Sequence, residues 1–278
     1  MQPSIAVRNS IFLKVILMYQ IKRVSKEEIA AYRVQYLGAL VQCQNLYLEL
    51  MVEESENYMV CHSDIPIGYF IKTQDNKLVE FHLIDEFLLH AHRLFSHILS
   101  TYSIVSVYCK SFDAMLLDCC IVRSMKYTFA GMLFRDRIPA KSYSPQGYSV
   151  RLATEPDYDY LLQQEDGLYE TPEELRRFLC GGNITLFEKD NLLYGCGYLI
   201  KVHENRDWYD IGMWVNPLCR RRGVGTMIIS YLKETSLDNG WTPICACAYD
   251  NVASQRTLER NGFVSKYKLL EFAVDNNF

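Results

Sequence analysis

The chain has 278 residues, of which 49% are apolar and 22% charged, with a formal net charge of −4. That length suits one large domain or two smaller ones, either able to bury a core without metal or disulfide staples. The balance excludes a non-specific nucleic-acid binder, which would carry a basic excess, and the composition excludes collagen-like, disordered and membrane-spanning chains.

In chain order, Ile11–Tyr19 is the one candidate targeting segment, but it is too short to span a bilayer and is broken by Lys14. Residues 1–17 read as a loosely attached extension before Met18. Ser25 and Glu28 make a capping box, and helical character continues with interruption towards Leu50. Strand patterns follow at Tyr58–His62, Gly68–Lys72 and Leu78–Ile84, with a first turn through Asp64, Ile65 and Pro66. Apolar residues Phe87, Leu88, Ala91, Leu94, Phe95 and Ile98 predict a helix over Glu86–Leu99. A strand (Ile104–Tyr108), a helix (Phe112–Arg123) and a strand (Tyr127–Phe134) complete the first half.

Residues 139–147, rich in Pro, Ser and Gly, read as a linker between a domain at 18–138 and another at 148–278. The second half repeats the order. A strand (Tyr148–Ala153) and a helix (Glu155–Gln164) precede Thr171-Pro172-Glu173-Glu174, a helix start whose helix ends at Gly181-Gly182. Strands follow at Asn183–Glu188, Leu192–Val202 and Trp208–Val215, then a helix from Gly225 to Asp238. A strand (Ile244–Ala248), a short helix (Ser254–Arg260) and closing strands through Phe263–Val274 end the chain. The fold class expected is α+β: two units, each a mixed, mostly antiparallel twisted sheet flanked by helices.

Ten scattered cysteines, with no Cys-x-x-Cys pair, read as free thiols in a reducing cytosol, so a cytoplasmic protein without a metal site is expected. The halves differ in other ways. Eleven of the 14 glycines follow residue 146. Residues 1–145 carry 15 basic and 14 acidic side chains, against 14 and 19 in the remainder.

The richest stretch runs from Asp210 to Thr226, where a strand meets a turn with Arg220, Arg221, Arg222, Gly223 and Gly225 and passes straight into a helix. Glycines permit positive φ and close approach, and free N–H groups at a helix start cradle phosphate oxygens. Three arginines in an otherwise acidic half point to an anionic ligand; a solvated basic corner is the structural alternative. No Gly-Lys-Ser/Thr follows, so it is not a P-loop, and a dinucleotide fingerprint also fails.

This turn, Arg220-x-x-Gly223-x-Gly225, resembles the acyl-coenzyme A pyrophosphate loop of the GCN5-related N-acetyltransferases (GNAT). The resemblance extends to the strand ending Met213-Trp214-Val215-Asn216-Pro217, to Asn251-x-x-Ser254 and to Leu258-Glu259-Arg260-Asn261-Gly262-Phe263. It implies that Arg220, Arg221, Arg222, Gly223, Val224, Gly225 and Thr226 hold the pyrophosphate of acetyl-CoA. Met213, Trp214 and Val215 would pair with the pantetheine arm at a strand splayed from the next. Asn251 would bond the pantetheine side, with helix capping as its alternative role, and Ser254 would border the cofactor.

The implied reaction is direct attack of a neutral primary amine on the thioester, with backbone N–H near Met213–Val215 stabilising the oxyanion. The proton-transfer sites depart from the family. Leu258 stands where many relatives carry a tyrosine, and Ala246 where some carry a glutamate. Asp210 and Tyr209 are the catalytic candidates, with solvent as the other route for the proton and structural roles as their alternative. A non-catalytic acyl-CoA-binding module is the competing reading. The acceptor expected is a small-molecule or peptide amine, with no nucleic-acid or membrane partner; the acidic stretch Glu155–Glu174 reads either as a lure for a cationic amine or as a solvated helical face.

The first half resembles the same fold in element order only. Asp85-Glu86-Phe87-Leu88 falls where the glycine loop would lie. An acidic, glycine-free turn repels pyrophosphate, so this half is expected not to bind cofactor. It would shape the acceptor pocket, pack against the catalytic half or form a homodimer surface.

Overall fold

Local chemistry sets the first elements. In the computed structural model, which describes residues 19–164, 167–204 and 206–275, β1 (Tyr19–Val24) runs into α1 (Lys26–Ala39). The Ser25 N–H donates to Glu28 Oε2 at 2.8 Å, completing the capping box. The extension 1–17 and the acidic pair 165–166 lie outside the described residues.

The expected long helix breaks where Leu40 turns extended, and α2 (Leu46–Glu53) starts afresh after Asn45. β2 (Glu56–His62) and β3 (Ile65–Lys72) form a tighter hairpin than the sequence suggests. Ser63 and Asp64 both adopt positive φ, so two residues make the turn and Ile65 and Pro66 join the strand. Pro66 is tolerated there because the ladder shifts register at Val60/Cys61. β4 (Lys77–Leu83) leads to a 3₁₀ turn (Asp85–His90) and then α3 (Ala91–Thr101), dividing the helix expected over Glu86–Leu99. β5 (Ser106–Lys110) precedes α4 (Ala114–Val122), capped by the Asp113 carboxylate accepting from the Leu116 N–H.

Next come β6 (Tyr127–Phe134), β7 (Asp136–Arg137), β8 (Ser149–Leu152), α5 (Tyr158–Leu162) and α6 (Pro172–Cys180). Thr171 caps α6 by accepting from the Glu174 N–H at 3.1 Å. The remaining elements are β9 (Ile184–Lys189), β10 (Leu192–His203), β11 (Arg206–Val215), α7 (Val224–Asp238), β12 (Thr242–Ala248), α8 (Val252–Arg260), β13 (Phe263–Val264) and β14 (Tyr267–Ala273).

Two units result, cut differently from the sequence domains at 18–138 and 148–278. Of the described residues, the first contains 19–129 and 269–275, and the second those within Ala130–Lys268. The first unit's sheet runs β1-β2-β3-β4-β5-β14, antiparallel except for the β4–β5 pair. Its core packs Phe70, Phe81, Phe95, Leu94 and Ile98 between the sheet and helices. In the second unit, β6 through Gly131–Phe134 pairs with β12, and the order continues β11-β10-β9-β8. Here the parallel pair is β11–β12, and Ile228, Ile229 and Leu232 of α7 fill the core.

Each unit is therefore closed by a strand from the other half of the sequence. The chain-order pattern of strands shows that β6 and β14 exist, but not which edge each one joins. The ten cysteines are all free thiols. No helix among the described residues is long and apolar enough to cross a membrane.

Candidate functional site

The site of the second unit begins with a ladder that stops early. β11 pairs with β12 at Trp208/Thr242, Tyr209/Pro243 and Asp210/Ile244, yet β11 runs on to Val215 and β12 to Ala248. On its other side β11 stays paired with β10 as far as Val215/Gly195. The Asn216 N–H donates to the Tyr194 carbonyl at 3.0 Å, which fixes the alternation: Trp214 and Gly212 turn their backbone groups to β10. The N–H and C=O of Met213 and Val215 then face the edge that β12 has left.

The helix start lies beside this edge. Gly223 is the N-cap of α7 at φ 82, a left-handed conformation that costs a side-chain-bearing residue about 1 kcal/mol. The first intrahelical bond is Met227 N–H to the Gly223 carbonyl, so the N–H groups of Val224, Gly225 and Thr226 remain for another partner. No acidic residue occupies the first turn of this helix. Arg220 Nε donates to the Val215 carbonyl at 3.1 Å and ties the turn to the strand. Buried Asn261 braces the α7 start by donating to the Thr226 carbonyl at 3.1 Å, while its own backbone carbonyl accepts from Lys233 at 3.0 Å.

These elements enclose a cavity of about 800 Å³, within the range of small-molecule clefts. Met213, Trp214, Val215, Arg220, Arg221, Gly223, Val224, Gly225, Thr226, Asn251 and Ser254 line it, eleven of the twelve residues expected to contact cofactor. Arg222 does not. Burial raises the Tyr148 hydroxyl's pKa, and Arg222 partly offsets that rise from outside the cavity. Asn251 also takes the capping role, its Oδ1 accepting from the Ser254 N–H at 3.0 Å, which leaves its NH₂ as the donor it can offer.

The sequence reading missed Gly167, Ala253, Arg256, Thr257 and Arg260. The signal for two of them was present: Arg256 and Arg260 stand at i, i+4, one face of a helix. Among the described residues the lining holds four arginines and no carboxylate. A donor set of free helix N–H groups, arginine forks and a left-handed glycine fits a phosphate-bearing ligand.

The catalytic candidates lie elsewhere on β11. The Tyr209 ring stacks on Trp241, with centroids 4.1 Å apart. Asp210 sits at the last paired position, where the two strands begin to diverge. Neither lines the cavity. Leu258 is buried in the core with Ile228 and Leu232. Burial pushes the Cys245 thiol well up and the Cys247 thiol to about 11, so neither is a ready nucleophile.

The second unit is thus defined by a parallel strand pair that splays beside a glycine-turned helix start. Two family models match the chain: the acetyltransferase (GNAT) domain over residues 25–137 and the acetyltransferase (GNAT) family over residues 143–263. The chain belongs to the GNAT family, as a tandem member, and its general role is that of an acetyltransferase.

Among solved structures it is similar to a GNAT-family acetyltransferase from Colwellia psychrerythraea, at 15% identity and TM-score 0.84, covering 92% of this chain and 100% of that one. A tandem GNAT protein from the clavulanic acid biosynthesis pathway matches at 12% identity and TM-score 0.64, covering 92% and 98%. A GCN5-related N-acetyltransferase from Sphaerobacter thermophilus matches at 11% identity and TM-score 0.63, covering 92% and 95%. At these identities the likeness is one of fold. None of the curated proteins matches the chain in sequence.

Proposed function

We propose that the second unit binds acetyl-CoA and transfers the acetyl group to a primary amine by direct attack. The observation that carries this reading is the edge that β12 leaves at Met213 and at the Val215 N–H, next to the N–H groups of Val224–Thr226 that the helix does not use. Acetyl-CoA supplies an activated thioester. The α7 start with Arg220 and Arg221 holds the pyrophosphate, and the β11 edge holds the arm. A backbone N–H on that edge donates to the developing oxyanion. Asp210, where the strands part, is the carboxylate assigned to receive the amine proton, directly or through water. Tyr209 is its neighbour in that assignment, held in place by its stack on Trp241.

The test is calorimetric titration of the full chain with acetyl-CoA, followed by free-thiol release with a panel of amines. Binding with amine-dependent release, lost in Asp210→Asn, is the expected outcome. A second reading has its own support: Leu258, at the position where many relatives carry the acid tyrosine, is buried in the core. Binding of acetyl-CoA without turnover of any amine would favour that non-catalytic, acyl-CoA-binding module.

A further inference from the structure

The arginines of α8 stand apart from those of the α7 turn. Arg256 and Arg260 lie one turn apart on this helix and line the same cavity as the α7 turn, with Thr257 between them. Both are exposed, and among the described residues neither has a hydrogen-bond or carboxylate partner. The arginines across the cavity, Arg220 and Arg221, already stand beside the free N–H groups of α7. One pyrophosphate bridge, with two negative charges, is matched by that side alone. Two further guanidinium groups, with no acidic residue among the described residues of the lining, are in excess of what it requires.

Resting on the proposed acetyl-CoA reading, we infer that Arg256 and Arg260 bind the terminal phosphomonoester on the ribose of coenzyme A and make the enzyme select for it. A phosphomonoester carries about −1.5 to −2 charge at neutral pH and three acceptor oxygens. Two guanidinium forks at i, i+4 spacing can grip such a group from one side. The subsite is separate from the pyrophosphate turn, since it lies on another helix. It contributes donor discrimination rather than chemistry.

The experiment compares acetyl-CoA with acetyl-3′-dephospho-CoA, which keeps the pyrophosphate and loses only the monoester. Calorimetry on the full-length wild type is expected to show about tenfold tighter binding of acetyl-CoA, a difference of about 1.4 kcal/mol. In R256A/R260A that preference disappears because acetyl-CoA binds about tenfold more weakly while the dephospho ligand changes little. R256K/R260K, which keeps charge but not the fork, retains part of the preference.

Equal binding of the two ligands by the wild type overturns the subsite, as does an equal loss for both in R256A/R260A. Failure of the wild type to bind either ligand overturns the acetyl-CoA reading, and the subsite with it. Circular-dichroism melts of each variant establish that the comparison is made on folded protein.

Discussion

The two units treat the same gap in opposite ways. In both, the parallel strand pair separates after a few residues: β11 from β12 beyond Asp210/Ile244, and β4 from β5 beyond Leu78/Val107. In the second unit the space past the split adjoins a cavity lined by four arginines. In the first, the residues past the split are buried charges bonded to one another. Glu80 of β4, fully buried, accepts from Arg33, Gln44 and Tyr69 at 2.8–3.1 Å. Gln44 bridges to β5 by accepting from fully buried Lys110 at 2.6 Å, and Lys110 also donates to Tyr36, which donates to Asp113. One fold thus sets cationic side chains along a cavity in one unit and against internal carboxylates in the other.

That contrast can be broken most forcefully at Lys110. Lys110→Met leaves Asp113 buried without its cation, and about 3–5 kcal/mol of stability should be lost. Arg256→Ala in the second unit, by contrast, should stay within about 0.5 kcal/mol. Urea denaturation midpoints measure both, and similar losses would erase the distinction between structural and ligand-directed charges.

Next in size is the pair Gly223→Asp with Arg220→Glu. An acidic residue placed in a left-handed conformation at the α7 start, with a second one in the turn, should weaken acetyl-CoA about a hundredfold, or about 2.7 kcal/mol. Surviving affinity would show that the pyrophosphate is held elsewhere. Gly225→Ala is milder. Its Cβ would lie 2.8 Å from Met213 Sδ, the far end of a flexible side chain, so the thioether moves into the cavity wall. A fall of about threefold in acetyl-CoA affinity, with less than about 1 kcal/mol of stability lost, is expected from the same titrations.

The smallest effect is a difference in acid response. Burial holds the His82 pKa below its ordinary value of 6.5. Its contribution is therefore fully present above that value and is lost as pH falls through the lower folded one. In the second unit, hydrogen bonds from Arg151 hold Asp157 at about 2, below the ordinary 3.8. That contribution is present above 3.8 and persists until pH falls through about 2. Denaturation midpoints across the acid range should show the first unit weakening earlier, and His82→Gln should remove the upper part of its slope. An unchanged slope would remove His82 as the cause.

The difference between the units also decides what could be read from sequence. The glycine-bearing turn was legible because its parts are contiguous: a strand, a corner and a helix start within Asp210–Thr226. Arg256 and Arg260 were within reach of the same method, through their helical spacing. The buried network was not. Arg33, Gln44, Glu80, Lys110 and Asp113 come from separate elements and share no spacing, and each one alone looks like an ordinary surface residue. The element order and most strands followed from periodicity and turn residues. Pro66 misled because a bulge at Ile67, in its own strand, allows proline where a regular ladder would not.

The exchanged closing strands bear on how the protein is made. β14 completes the first unit's sheet against β5, and Glu271 accepts from Ser106, 165 positions earlier. During synthesis the β5 edge emerges long before its partner, so the first unit to leave the ribosome is among the last to be finished. An unpaired strand edge over that interval is a template for wrong pairing. Contacts this distant in sequence are also slow to form. A fragment ending in the linker would keep that edge permanently open, whereas a rearranged chain with β14 moved next to β5 would let the first unit close as soon as it is made.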